Sequence, residues 1–72
     1  MKITDAWITT SIKTRFMGED ALRESTIDVD TDRHVVTLSG TVVSEAAHEK
    51  ALDIVKDTDG VNKIVDNLTV KK

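Results

Sequence analysis

The periodicity of this chain changes at Thr26, and that change constrains the fold more than any other feature. Before it, Ile8, Ile12 and Phe16 recur every four residues and form one stripe of a helix spanning residues 4–17. After it, Ile27 and Val29 alternate with Asp28 and Asp30, the two-residue period of a strand with one face in water. The alternation resumes in VVTLSGTV, residues 35–42. There Val36, Leu38, Gly40 and Val42 share one face, and Thr37, Ser39 and Thr41 share the other. Ala47, Ala51, Ile54 and Val55 restore a helical stripe with Leu52 at its margin, and a last strand runs from Val61 to Val70. The order is helix, strand, strand, helix, strand.

A polar turn at TDRH, residues 31–34, lets the first two strands pair antiparallel, although it lacks the Asn-Gly that short hairpins prefer. The unit from Val35 to Val70 is a strand–helix–strand crossover, expected to be right-handed and to pair its strands in parallel. The expected fold class is therefore α+β: a three-stranded mixed sheet with two helices packed on one face. Asp28, Asp30, Thr37 and Thr41 fall on the wet face.

The element ends carry their own signals. Thr4 caps the first helix, Asp5 suits its positive end, and Ile3 and Ile8 have the spacing of a hydrophobic staple. Gly18 is expected to close that helix in the left-handed conformation. In the connector EDALRES, residues 19–25, Leu22 is the expected core anchor. Ser44 caps the second helix, and Gly60 with Val61 is expected to end it as a Schellman motif. Asp66 shares a face with Ile64, Leu68 and Val70, which predicts a bulge or an edge position near residues 65–67. Gly40 raises a sharper question, because glycine weakens a strand unless a bulge or a neighbouring backbone requires it. Its place on the inward face predicts a structural role, making room for a helix that crosses the sheet.

Seventy-two residues make one domain, residues 1–72, with a small core. The absence of cysteine excludes disulfides and thiolate chemistry. Ten Lys and Arg against thirteen Asp and Glu give a formal charge of -3, with no general attraction to phosphate backbones. One Trp and one Phe provide no stacking platform for single strands, so nucleic acid is not an expected partner. No apolar run approaches the about 20 residues that span a bilayer. Lys2 leads into an amphipathic pattern with Asp5 instead of an apolar leader, so the chain is either cytosolic or begins after a removed signal.

Chemistry-bearing clusters are few. DVDTD, residues 28–32, opens like a calcium loop, but Arg33 stands where that loop needs glycine and Ser39 where it needs glutamate. A solvated strand face accounts for the triplet. His34 and His48 lack a metal-ligand spacing and read as surface histidines, so no metal site is expected. No serine or threonine has an identifiable activator, and no catalytic residue is assigned. Lys2, Lys13, Arg15 and Arg23 gather in the first third of the chain, interleaved with Asp5, Glu19, Asp20 and Glu24. Trp7 lies about 100° from Ile8 on the helix, beside Ser11 and Thr14. It either closes the core rim or projects as a membrane or partner anchor.

Three segments, DAWITTSIK, IDVDTDRHVVTLSGTV and DGVNKIVDNLTV, together resemble the BON domain, named for bacterial osmotically inducible and nodulation proteins. The similarity spans nearly the whole chain and is greatest to the osmotically inducible periplasmic type. VTLSGTV, then a helix, then GV with a closing LTV is its most specific combination. Two positions depart from the pattern: Arg33-His34 where relatives often carry Asn-Gly or Lys-Gly, and Asp66 where Asn is frequent. The resemblance implies the same helix-strand-strand-helix-strand order. It also implies a non-enzymatic module of the bacterial envelope, without cofactor, that associates with phospholipid and often occurs in tandem copies. Related modules occur in secretin-type and mechanosensitive channels, and one cytosolic relative binds potassium. The resulting expectation is a periplasmic domain, the alternative being cytoplasmic. It would meet anionic phospholipid weakly through Trp7, Lys13 and Arg15, or serve as an adaptor for an envelope protein. Gly40 and Gly60 carry over as structural positions.

Overall fold

The computed structural model describes residues 2–71, so Met1 and Lys72 of the expected 1–72 domain lie outside it. Helix α1 spans Asp5–Met17 and is followed by a single 3₁₀ turn, Asp20–Leu22. Strands β1 (Thr26–Asp32) and β2 (Val35–Val42) form a hairpin; helix α2 (Glu45–Lys56) leads to β3 (Lys63–Val70). The sheet order is β1-β2-β3, antiparallel between the first two and parallel between the last two. The expected class and element order hold.

Register shows why both helices share one face. Val29 opposes Leu38, which opposes Asp66; Ile27 opposes Gly40, which opposes Leu68. Ile27, Val29, Val36, Leu38, Val42, Ile64, Leu68 and Val70 therefore point the same way. They meet Ile8 and Ile12 of α1 and Ala47, Ala51, Ile54 and Val55 of α2 in two clusters, bridged by Phe16, Ile27 and Leu68. Leu22 is buried in the second cluster, as its place in the connector predicts. Burying each large aliphatic side chain contributes about 1.5–3 kcal/mol. On the other face Asp28 and Asp30 are exposed, whereas their neighbours half-bury Thr37 and Thr41.

Both N-caps form as expected. Thr4 Oγ1 accepts from the Trp7 amide at 3.1 Å, and Ser44 Oγ accepts from the Ala47 amide at 3.1 Å. The helix ends differ from expectation. Gly18 stays right-handed, at φ -87°, and its amide donates to the Thr14 carbonyl at 3.3 Å. Gly60 is left-handed, at φ +90°, but it does not cap α2, whose C-cap is Asp57. Side chains close α2 instead. Thr58 Oγ1 donates to the Ile54 carbonyl at 2.8 Å, and Arg15 reaches the same carbonyl from α1 at 3.4 Å. A Cβ on Gly60 would stand 2.6 Å from Ile3 Cγ2, so packing against the staple residues fills the space above it.

Gly40 is not under a helix. It adopts φ +111°, and a Cβ there would fall 2.1 Å from the carbonyl oxygen of Thr26 on the paired strand. The neighbouring backbone, not a helix, excludes a side chain. Pairing remains continuous from Thr26–Thr41 to Asp32–Val35, with no residue bulged out. The turn is also shorter than TDRH, because Thr31 and Asp32 still belong to β1. Only Arg33 and His34 lie outside the strands, at φ +51° and +66°, the pair of positive values that a type I′ turn requires.

The last strand begins at Lys63 instead of Val61 because the chain first crosses that turn, where the Asn62 amide donates to the His34 carbonyl at 2.8 Å. Asp66 occupies an edge strand, one of the two expected alternatives, and β3 pairs without a bulge.

Candidate functional site

Helix α1 presents different chemistry on its two flanks. Residues 7 and 15 are eight apart, about 80° on the helical wheel, whereas 13 and 15 are about 160° apart. The fold accordingly places Trp7 and Arg15 together and sends Lys13 elsewhere. Trp7, Ser11, Thr14 and Arg15 line a groove of about 480 Å³ with Asp57 and Asp59 beyond the end of α2. Lys13 lines a separate cleft of about 530 Å³, with Phe16, Met17 and Arg23.

Trp7 remains 36% exposed, so its ring is neither core nor fully projecting. Arg15 is exposed but has partners at the end of α2. Besides the Ile54 carbonyl, it approaches the Asp57 carboxylate at 3.9 Å, a cation placed at the negative end of α2. Of the three residues expected to meet lipid or a partner, Lys13 alone is an exposed cation with no ion pair among the described residues. Arg23, absent from that expected set, stands beside it.

Two further polar sites were not visible in the sequence. At the start of α1, the Asp5 carboxylate accepts the amides of both His34 and Arg33, each at 2.9 Å. The His34 amide, then the Arg33 amide, hold the Asp5 carboxyl below its ordinary range. His34 Nδ1 donates to the Gly60 carbonyl at 2.8 Å, which requires the proton on that nitrogen because a carbonyl oxygen can only accept. His34 is therefore half-buried and engaged, unlike the free surface histidine expected.

His48 departs from expectation in the same way. Its Nε2 meets Asp66 at 2.5 Å, and its Nδ1 lies 3.8 Å from Glu45. Partial burial works against the charged Asp66. Its bond to His48 and the Leu68 amide at 3.1 Å outweigh that and hold its carboxyl below the ordinary range. His48 lies on α2 and Asp66 on β3, 18 residues apart, so no spacing along the chain announces that pair.

Among the described residues, no group of three His, Asp or Glu side chains is arranged to hold a metal ion. No helix there is long and apolar enough to cross a membrane.

Residues 4–72 match the BON domain family. Over 67 residues the chain is 39% identical to osmotically-inducible protein Y of Escherichia coli (strain K12), covering 93% of this chain and 33% of that protein. The chain thus spans about a third of the length of the curated relative it matches. The matched span takes in both helices and all three strands, in α-β-β-α-β order, and the chain belongs to the BON domain family.

Proposed function

We propose that this domain is a non-enzymatic module of the bacterial envelope, periplasmic and active in osmotic or envelope stress, that associates weakly with anionic phospholipid surfaces. The name of its relative, an osmotically-inducible protein, supports the stress context. The observation that carries the membrane reading is the surface of α1. Trp7 and Met17, two of the three exposed large apolar side chains among the described residues, lie on this one helix. A tryptophan at an interface keeps its ring in apolar surroundings and its indole nitrogen in water. Lys13, beside Met17 on the other flank of the same helix, supplies an attraction worth about 1 kcal/mol near a charged surface and weakened by salt. Against a net charge of -3, such binding is weak.

Titration with phosphatidylglycerol vesicles at low salt is expected to blue-shift Trp7 emission, and added salt to reverse the shift. Trp7→Ala should reduce co-sedimentation. No shift and no co-sedimentation at low salt would exclude this face as a lipid contact. Binding retained in Trp7→Ala would move the contact elsewhere.

A second reading, an adaptor in envelope or channel assembly, draws on the open edges of β1 and β3. Either edge can accept a partner's strand. A partner bound there would protect the amides of one edge strand from hydrogen exchange and leave Trp7 emission unchanged.

A further inference from the structure

The cleft on the Lys13 flank of α1 has a composition unlike the Trp7 groove. Its floor is apolar: Phe16 and Met17 from the end of α1, Leu22 from the 3₁₀ turn, and Ile27 from β1. Met17 is 86% exposed at its margin, a large side chain with no packing partner to justify its place. Lys13 and Arg23 stand at the same cleft with Asp28 as its one acidic lining residue, and Arg23 also borders Asp20 and Glu24 on its other side. Neither cation is in an ion pair among the described residues. Ser25, in the wall, has a buried hydroxyl with no hydrogen-bond partner, which is unusual because buried polar groups are nearly always satisfied. A volume of about 530 Å³ lies within the usual range for small-molecule sites.

We infer that this cleft binds one monomeric long-chain carboxylate, a fatty-acid-like anion. The acyl chain lies on Phe16, Met17, Leu22 and Ile27, and the carboxylate meets Lys13 and Arg23. An apolar floor accounts for the chain, the two unpaired cations for the sign of the head, and the nearby Asp20, Glu24 and Asp28, which repel a second negative charge, for a carboxylate over a dianionic phosphate. The site lies on the opposite flank from Trp7 and takes a monomer, so it does not depend on the domain's binding vesicles.

The test uses decanoate below its micelle concentration, followed by NMR of the whole chain. Saturable shifts are expected at the Phe16 and Ile27 amides and the Met17 methyl group. Lys13→Gln and Arg23→Gln should each weaken binding roughly two- to fivefold, as loss of an exposed charge pair does. Both side chains are exposed, so neither variant should unfold the domain. Trp7→Ala should bind decanoate unchanged. Decyltrimethylammonium binding as tightly as decanoate would overturn the assignment, because charge would then play no part. Decyl phosphate binding tighter than decanoate would overturn the carboxylate, and shifts centred on Trp7 would overturn the location.

Discussion

The two ends of α1 are built on opposite principles. At its start, three connections are tied together by polar contacts: Asp5 holds both turn amides, His34 meets the Gly60 carbonyl, and Asn62 donates to His34. At its end, the chain leaves through Gly18 and a 3₁₀ turn beside an open cleft, an exposed Met17 and an unpartnered Ser25 hydroxyl. Two adjacent residues at positive φ are costly unless the surroundings hold them. The start of α1 supplies that hold, whereas at the end Arg15 reaches across to α2, and Met17 and the Ser25 hydroxyl stay uncommitted. Uncommitted groups are where a small domain has surface to offer a ligand.

The largest predicted effect lies near the open end, where β1 and β2 approach each other at Thr26. Gly40→Ala forces a side chain toward the Thr26 carbonyl at a φ that L residues rarely adopt. Strain and overpacking together should cost about 2–4 kcal/mol, a large share of a small domain's stability. A denaturant midpoint within error of the parent would show that the strands can separate there, and the contrast between the ends would fail.

At the tied end, Asp5→Asn should lower the denaturant midpoint by less than Gly40→Ala. A neutral amide cannot serve both turn amides as a carboxylate does. The pH dependence follows from the direction of the shift. Asp5 has a lower pKa folded than unfolded, so its contribution is present above the unfolded value, about 3.9, and is lost as pH falls through the folded one. Asp66 is shifted in the same direction and adds to the acid loss. Stability measured downward from pH 5 should therefore fall, and Asp5→Asn should flatten that fall. An unchanged acid limb would show that the Asp5 contacts do not survive in solution.

The smallest effect sharpens the comparison from the other side. Arg33→Asn places a residue tolerant of positive φ in the turn while keeping the amide that Asp5 accepts. A gain of about 0.5–1 kcal/mol is expected, small because Asp5 already offsets part of the strain. A loss would mean that the arginine side chain itself contributes at this turn.

What was legible in the sequence was whatever a local pattern encodes. Ile8 and Ile12 announce their stripe, Thr4 and Ser44 their caps, and the β2 alternation its inward face. The errors share a cause. Gly18 and Gly60 suggested helix caps because glycine is permissive, yet α1 ends right-handed and α2 is closed by Thr58 and by Arg15 from the other helix. Gly40 suggested a helix overhead, but the obstacle is a carbonyl of the antiparallel partner. The expected contact set of Trp7, Lys13 and Arg15 mixed opposite flanks of one helix, a distinction that 100° per residue already contained. Arg23 joins Lys13 only because the connector folds back beside α1.

By itself, then, the sequence determined the α-β-β-α-β order, the single apolar face of the sheet and the starts of both helices. Those depend on side-chain periodicity and on hydrogen bonds spanning three or four residues. Only the tertiary structure decided that Asp5 holds the Arg33-His34 turn, that His48 meets Asp66, and that Thr26 closes the space at Gly40. These partners lie 28, 29 and 18 positions apart for the polar pairs. They meet because strand register and helix docking bring their backbones together. A carboxylate, an imidazole or a glycine accepts many partners, and which one it finds is set by packing the whole core, not by its neighbours along the chain.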